Sequence, residues 1–355
     1  MNLEKLEERT LPSSYTAASV SALIADINAA NKAGGSNTIT LTAPTTSPYV
    51  LTKVDNSTDG PTGLPVISGG GNKGAADNLT IVGNGDTVER ESSGTPNFRL
   101  FDVASGGSLT LQNLTLQGGL AQGSGAASEG GAIYNQGTLV LSGVTVQNNT
   151  AVGTYGQNGS KQNPNGTAGA DAYGGGIWSS GALTCENGTL IENNTARGGN
   201  GGNAYTGILY GGGYFLFGGN GGNAFGGGVY IAGGTANLTG VTLSGDQALG
   251  GWGGNGPPLL AGTPGIDGSA YGGGLCAGSG SVTLCTDTVQ GNTAQPGHPG
   301  LESTGAGYGG GIYIDPSASA YLNSFTQANT INNTDSSVLN GSTANIDGTY
   351  ILRNC

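Results

Sequence analysis

The sequence is short of charge: Asp, Glu, Lys and Arg make up 9% of 355 residues, and ten basic residues face 22 acidic ones. Between 162 and 352 the sole basic side chain is Arg197. Nucleic acids are held chiefly by neutralising phosphates, so this chain is expected to bind none. Its net charge of −12 repels anionic partners and favours solubility. Cysteine is also scarce. Cys185, Cys276, Cys285 and Cys355 lack the paired spacing of a zinc site and are too few for a disulfide-built scaffold. A local Cys276–Cys285 bridge is one reading; the favoured one is small, half-buried residues with a free thiol at the C-terminus. No run approaches the roughly 20 apolar residues of a transmembrane helix, and the N-terminus lacks the apolar core of a signal peptide. The one histidine, His298, has no second ligand and no nucleophile motif beside it, and is read as a loop residue.

Glycine, in contrast, supplies 73 residues, while apolar residues still reach 35%. Disordered chains are usually rich in charge, which this one is not. A β-solenoid reconciles these facts, because its tight turns need glycine and its narrow core needs few aliphatic residues per coil. The repeat supports it. Leu109, Leu111, Leu114 and Leu116 alternate along two short strands separated by a one-residue phase shift. The spacing recurs at Leu139, Leu141, Val144 and Val146, at Ala236, Leu238, Val241 and Leu243, and at Ala320, Leu322, Phe325 and Gln327. Val282, Leu284, Asp287 and Val289 form a looser copy, and Leu183, Cys185, Thr189 and Ile191 one with an added corner residue. Glycine-rich entry strands such as Gly130–Ile133 and Gly174–Ile177 precede these units, which predicts three strands per coil. The second strand ends in asparagine, including Asn149 and Asn194, whose stacked amides are expected to bond from coil to coil.

Gly130-Gly131-Ala132-Ile133, together with Val146/Asn149, Ile191/Asn194 and Leu243/Asp246, resembles the repeats of polymorphic outer-membrane and autotransporter-passenger β-helices over roughly residues 98 to 334. Leu6-Glu7-Glu8-Arg9-Thr10-Leu11-Pro12-Ser13 resembles a segment that opens many predicted extracellular proteins of planctomycete bacteria. The resemblance implies a bacterial extracellular or cell-surface location.

The expected fold is all-β, a right-handed parallel β-helix of three-strand coils with a short N-terminal capping helix and glycine-rich inserted loops. Residues 1–18 are expected to form a targeting-like or disordered segment and 19–355 a single domain. Within it, 19–31 is the helix, with Val20, Leu23, Ile24 and Ile27 on one stripe, Ser19 as N-cap and Gly34 beyond its end. Residues 37–97 hold irregular first coils, 98–334 regular coils with inserts, and 335–355 a last coil or cap. Segments 152–173 and 197–225 are read as lateral loops rather than extra coils.

Chemistry is thinly represented. Polysaccharide lyases and hydrolases use this fold, but they need clustered carboxylates beside a cation, and the Asp residues here fall about once per coil. No catalytic or cofactor-binding residue is assigned. The inserts end alike, at Asp171-Ala172-Tyr173, Asn223-Ala224-Phe225 and Ala270-Tyr271, each before a triple glycine. The aromatic is read as a plug over the coil corner, with Asp171 and Asp267 the alternative ligands of a weak Ca²⁺ site. The expected function is a non-enzymatic, adhesin-like scaffold with a glycan or cell-surface partner. The alternatives are a carbohydrate-active β-helix and a filament-forming envelope protein that associates end to end near Tyr350-Ile351-Leu352.

Overall fold

In the computed structural model, which describes residues 12–68, 77–122, 128–207, 216–256, 263–298, 305–336 and 344–355, the apolar spacing becomes a parallel β-helix. One coil shows the plan. Ile133–Asn135, Thr138–Ser142 and Thr145–Gln147 form three walls around the core. Thr150–Val152 then leads out of the coil, and Ala172–Tyr173 leads back toward the next. Equivalent strands pair in parallel without slippage, so Leu139 lies between Leu109 and Leu183, and Val146 between Leu116 and Ile191. Five sheets result, of ten, eight, seven, six and five strands. At about 4.8 Å per strand the ten-stranded sheet runs for roughly 43 Å.

Unshifted register stacks like on like. Leu109, Leu111, Leu114, Leu116, Leu139, Leu141, Val144, Val146, Leu238 and Val241 are all buried in one continuous core. The phase shift between the first two strands of each unit comes from a corner residue with positive φ: Asn113, Gly143, Gly240 or Thr286. In the coil that begins at Ala182, Asn187 and Gly188 both take positive φ, which absorbs the added residue and returns Thr189 and Ile191 to the interior. Outside this core, eight alanines, among them Ala151, Ala172 and Ala196, fill a thin second layer between the outgoing and returning strands. Alanine suits that layer because the two sheets approach too closely for larger side chains.

The amphipathic stripe forms a helix, Val20–Ala33, capped by Ser19, whose Oγ accepts from the Ala22 N–H at 3.3 Å, and ended by Gly34 at φ 64°. Leu23, Ile27 and Ala30 are fully buried against the first coils. The ten-stranded sheet, however, starts before the helix. Ser13–Ala17 pairs with residues 37–41, so the targeting-like or disordered segment expected for 1–18 does not extend over these residues. Residues 6–11 of the motif at 6–13 lie outside the described residues.

Other expectations are corrected at particular places. Each glycine-rich entry is a corner rather than a strand: Gly130, Gly174, Gly226, Gly272 and Gly309 take positive φ, and the strand begins at the following aliphatic residue. In the last unit Ala320 and Leu322 enter the core, but Phe325 does not. Asn323 caps a helical turn, Ser324–Ala328, which leaves Phe325 half-exposed and turns Thr326 inward. The C-terminal thiol is not free either. Cys285 and Cys355 form a disulfide that ties the chain end to the ten-stranded sheet, while Cys185 and Cys276 are buried and unpaired. Among the described residues no helix is long and apolar enough to cross a membrane.

Candidate functional site

The inserts are neither irregular loops nor extra coils; they form an ordered array. Among the described residues, the inserts that follow Val152, Arg197 and Leu249 have an outgoing and a returning arm, and the arms of successive coils stack. In Gly198-Gly199-Asn200-Gly201-Gly202-Asn203, the N–H groups of Gly198 and Gly201 donate to the Leu249 and Trp252 carbonyls of the next layer at 2.9 and 2.8 Å. Those of Gly199 and Gly202 donate to the Ala170 and Thr167 carbonyls of the preceding layer's returning arm at 2.8 and 2.9 Å. The third residue bonds through side chains. Asn203 N–H reaches Asn158 Oδ1, Trp252 N–H reaches Asn200 Oδ1, and Asn255 N–H reaches Asn203 Oδ1, at 2.8, 3.0 and 2.8 Å. Bonds repeating every three residues between arms, with none closing inside an arm, are the pattern of polyproline II helices packed side by side.

Glycine is needed here for closeness, not for backbone freedom. None of these glycines has a positive φ, yet a Cβ on Gly202 would overlap the Gln157 carbonyl oxygen, and one on Gly219 that of Thr167. Every third residue points outward instead. On the outgoing arms these positions carry Tyr155, Asn200, Asn203 and Trp252; on the returning arms they carry Phe217, Asn220 and Ile266. Tyr155, Trp252, Phe217 and Ile266 are about half-exposed.

Asp171 and Asp267 sit in different layers of this array. Asp171 stands where other layers have an outward asparagine or serine: Oδ1 accepts from the Asn223 N–H at 2.6 Å and Oδ2 from the Tyr173 hydroxyl at 3.2 Å. Asp267 accepts from the Gly253 N–H at 2.8 Å and meets His298 Nδ1 at 2.7 Å. Calcium requires six to eight oxygens converging on one point, and these two carboxylates do not converge. Among the described residues no cluster of three or more His, Cys, Asp or Glu side chains is placed to hold a metal. His298 is more than a loop residue, since its ring stacks on Trp252 with centroids 4.7 Å apart.

The aromatics that end the inserts form a ladder. Tyr173, Phe225, Tyr271 and Tyr308 stack at centroid spacings of 4.8, 4.8 and 5.1 Å, and Tyr230 and Tyr313 lean on Tyr173 and Tyr271 at 4.9 Å. Burial raises the phenols of Tyr173, Tyr230 and Tyr313, which keeps them neutral. Stacked in this way the rings are half-buried and close the junction between array and rod.

One cluster combines carboxylates with a cation, and the sequence search, confined to the central coils, missed it. The Arg99 guanidinium lies 4.9 Å over the Tyr134 ring, which stacks on Trp178 at 4.4 Å, and Nη1 donates to the Asp59 carbonyl at 2.7 Å. Asp102 is fully buried nearby; burial first, and then the charge of Asp59, push its carboxyl up to about 6 against the pull of Arg99. Burial also raises Glu129. Arg99 and Asp102 are 5% and 0% exposed, so they face the protein interior and not a polymer in solution. Asp287 lies elsewhere again, fully buried at a corner between two walls, and Arg197 belongs to an outgoing strand.

The asparagines that end the second strands face inward as a continuous ladder. Asn149 Nδ2 donates to Asn194 Oδ1, Asn194 Nδ2 to Asp246 Oδ1, and Asn292 Nδ2 to Asn333 Oδ1, each at 3.0 Å. The residue before each of these rungs, Asn148, Asn193, Gly245, Gly291 or Asn332, turns the corner with positive φ. The chain matches no protein-family model, no curated protein and no solved structure.

Proposed function

We propose that this chain is a non-enzymatic, adhesin-like scaffold of the bacterial exterior that binds neutral glycans through the outward positions of its glycine array. The observation that carries this reading is the array itself, where a hydrogen-bonded lattice holds half-exposed Tyr155, Trp252, Phe217 and Ile266 beside rows of asparagine. The Oδ1 atoms of Asn200, Asn203 and Asn220 are engaged within the lattice, which leaves their Nδ2 groups for sugar hydroxyls. Aromatic faces and edges take the apolar side of a pyranose. The acidic net charge disfavours anionic polysaccharides. An exterior location is supported by the resemblance of residues 6–13 and of the coil repeats, and by a disulfide suited to an oxidising compartment. Binding to a panel of neutral and acidic glycans tests the reading. Retention of neutral glycans that falls about tenfold in Trp252→Ala or Phe217→Ala is expected, that factor corresponding to about 1.4 kcal/mol. No retention of any neutral glycan, or retention in both variants equal to that of the wild type, rejects it.

A further inference from the structure

The asparagine ladder contains one rung that is not an amide. Elsewhere each Nδ2 group makes at least two bonds. It donates along the ladder to the next Oδ1, and across to the carbonyl three residues before the preceding rung. The second set runs from Asn149 to Leu116, Asn194 to Val146, Asn292 to Leu243 and Asn333 to Val289, at 3.1, 2.9, 3.1 and 2.9 Å. Asp246 holds the rung between Asn194 and Asn292. Its Oδ1 accepts from both the backbone N–H and the Nδ2 of Asn194, at 2.8 and 3.0 Å.

Its Oδ2 therefore stands in the place of an amide nitrogen. It lies against Gly228, as the Nδ2 atoms of Asn194, Asn292 and Asn333 lie against Gly176, Gly274 and Gly311. By the same register the groups set before it are acceptors, the Ile191 carbonyl and Asn292 Oδ1. Oδ2 is buried with no hydrogen-bond partner, and the residue is 0% exposed. An ionised carboxylate there would set lone pair against lone pair in a fully buried site.

We propose that Asp246 is held as a neutral carboxylic acid whose Oδ2–H donates to the Ile191 carbonyl, making this rung a proton-dependent latch at the root of the array. The strand that follows, Gln247–Leu249, carries the arm bearing Trp252, so loss of the proton loosens the array from the rod at this layer. Burial raises the Asp246 carboxyl well above the ordinary range, opposed by the Asn194 bonds. Glu192, on the strand of the preceding coil, is the charged group that acts on it, and it disfavours a second negative charge. Its other neighbours Asn194, Asn292 and the Gly226–Gly228 corner carry no ionisable side chain. Among the described residues no cation offsets the charge.

The raised carboxyl fixes the sign. The neutral rung's contribution is complete below about pH 4, the usual aspartate range, and is lost as pH rises through the folded-state value. Asp246→Asn supplies the second hydrogen and removes the titration. Between pH 5 and pH 9 the wild-type Tm is expected to fall by roughly 5 °C or more beyond any fall in the variant. Hydrogen exchange of residues 242–256, corrected for its intrinsic pH dependence, is expected to accelerate in the wild type alone. Carboxyl ¹³C shifts in the intact wild-type chain give a reading independent of any variant. A protonated Asp246 resonance at pH 6 supports the latch. An ionised one at pH 6, or parallel Tm profiles for the two proteins, overturns it.

Discussion

Asp287 shows how much a single corner residue settles. Its Oδ1 accepts from the Val241 N–H at 2.8 Å and its own N–H donates to Thr326 Oγ1 at 3.0 Å, so it links three coils. Thr189 holds the same corner two coils earlier, and its hydroxyl donates to the Leu141 carbonyl at 3.1 Å. Asp287 Oδ2 has no such bond, and burial pushes the carboxyl up to about 7 although backbone N–H groups pull it down. A folded-state value raised from about 3.9 means that stability is complete below pH 4 and declines as pH rises through 7. Asp287→Asn is therefore expected to be neutral near pH 4 and stabilising by on the order of 4 kcal/mol above pH 7. Urea melts across that range measure it, and a gain that does not change with pH would refute the assignment. The sequence pattern placed Asp287 among the core positions of its coil, but not its protonation, which depends on burial between stacked neighbours.

At the level of elements, coil and array rest on different physics. The coils are held by aliphatic burial, whose period-2 alternation is plain in residues such as Leu109, Leu111, Leu139 and Leu141. The array has almost no apolar interior and is held by backbone bonds between glycines. It follows that the array can be broken while the rod stays folded. Gly202→Ala places a Cβ on the Gln157 carbonyl, and is expected to open residues 153–171, 198–207 and 216–223 to limited proteolysis while the far-ultraviolet spectrum of the coils is retained. A protease pattern identical to wild type would show that the layers are not as tightly stacked as described. The three-residue period of Gly-Gly-Asn is visible in the sequence. Its meaning is not, because the acceptors for each arm lie on other arms, some of them in other layers such as Trp252 for Gly201.

For the whole molecule, closure at the ends matters as much as the repeat. The helix Val20–Ala33 covers the first coils, and the Cys285–Cys355 disulfide fastens the last. That bond spans 70 residues, and the chain-entropy model gives such a loop about 4 kcal/mol. Cys355→Ser is expected to lose stability of that order. Thiol counting gives a sharper check. The native chain should expose no reactive thiol, and the denatured, unreduced chain should expose two, Cys185 and Cys276. Four thiols in the denatured, unreduced chain would contradict the pairing. The partner of Cys355 was not readable from the sequence, where Cys276 is much nearer to Cys285, because spacing along the chain does not report which coil the terminus returns to.

By itself the sequence determined the coil. Leucine alternation, a corner residue of positive φ and an inward asparagine are local features, and stacking repeats them at a fixed spacing. Only the tertiary structure decided what the inserts become, which acids lose their charge and where the last cysteine goes. Each of these depends on groups brought together from different coils, where burial and a shared hydrogen-bond lattice, rather than local preference, set the outcome.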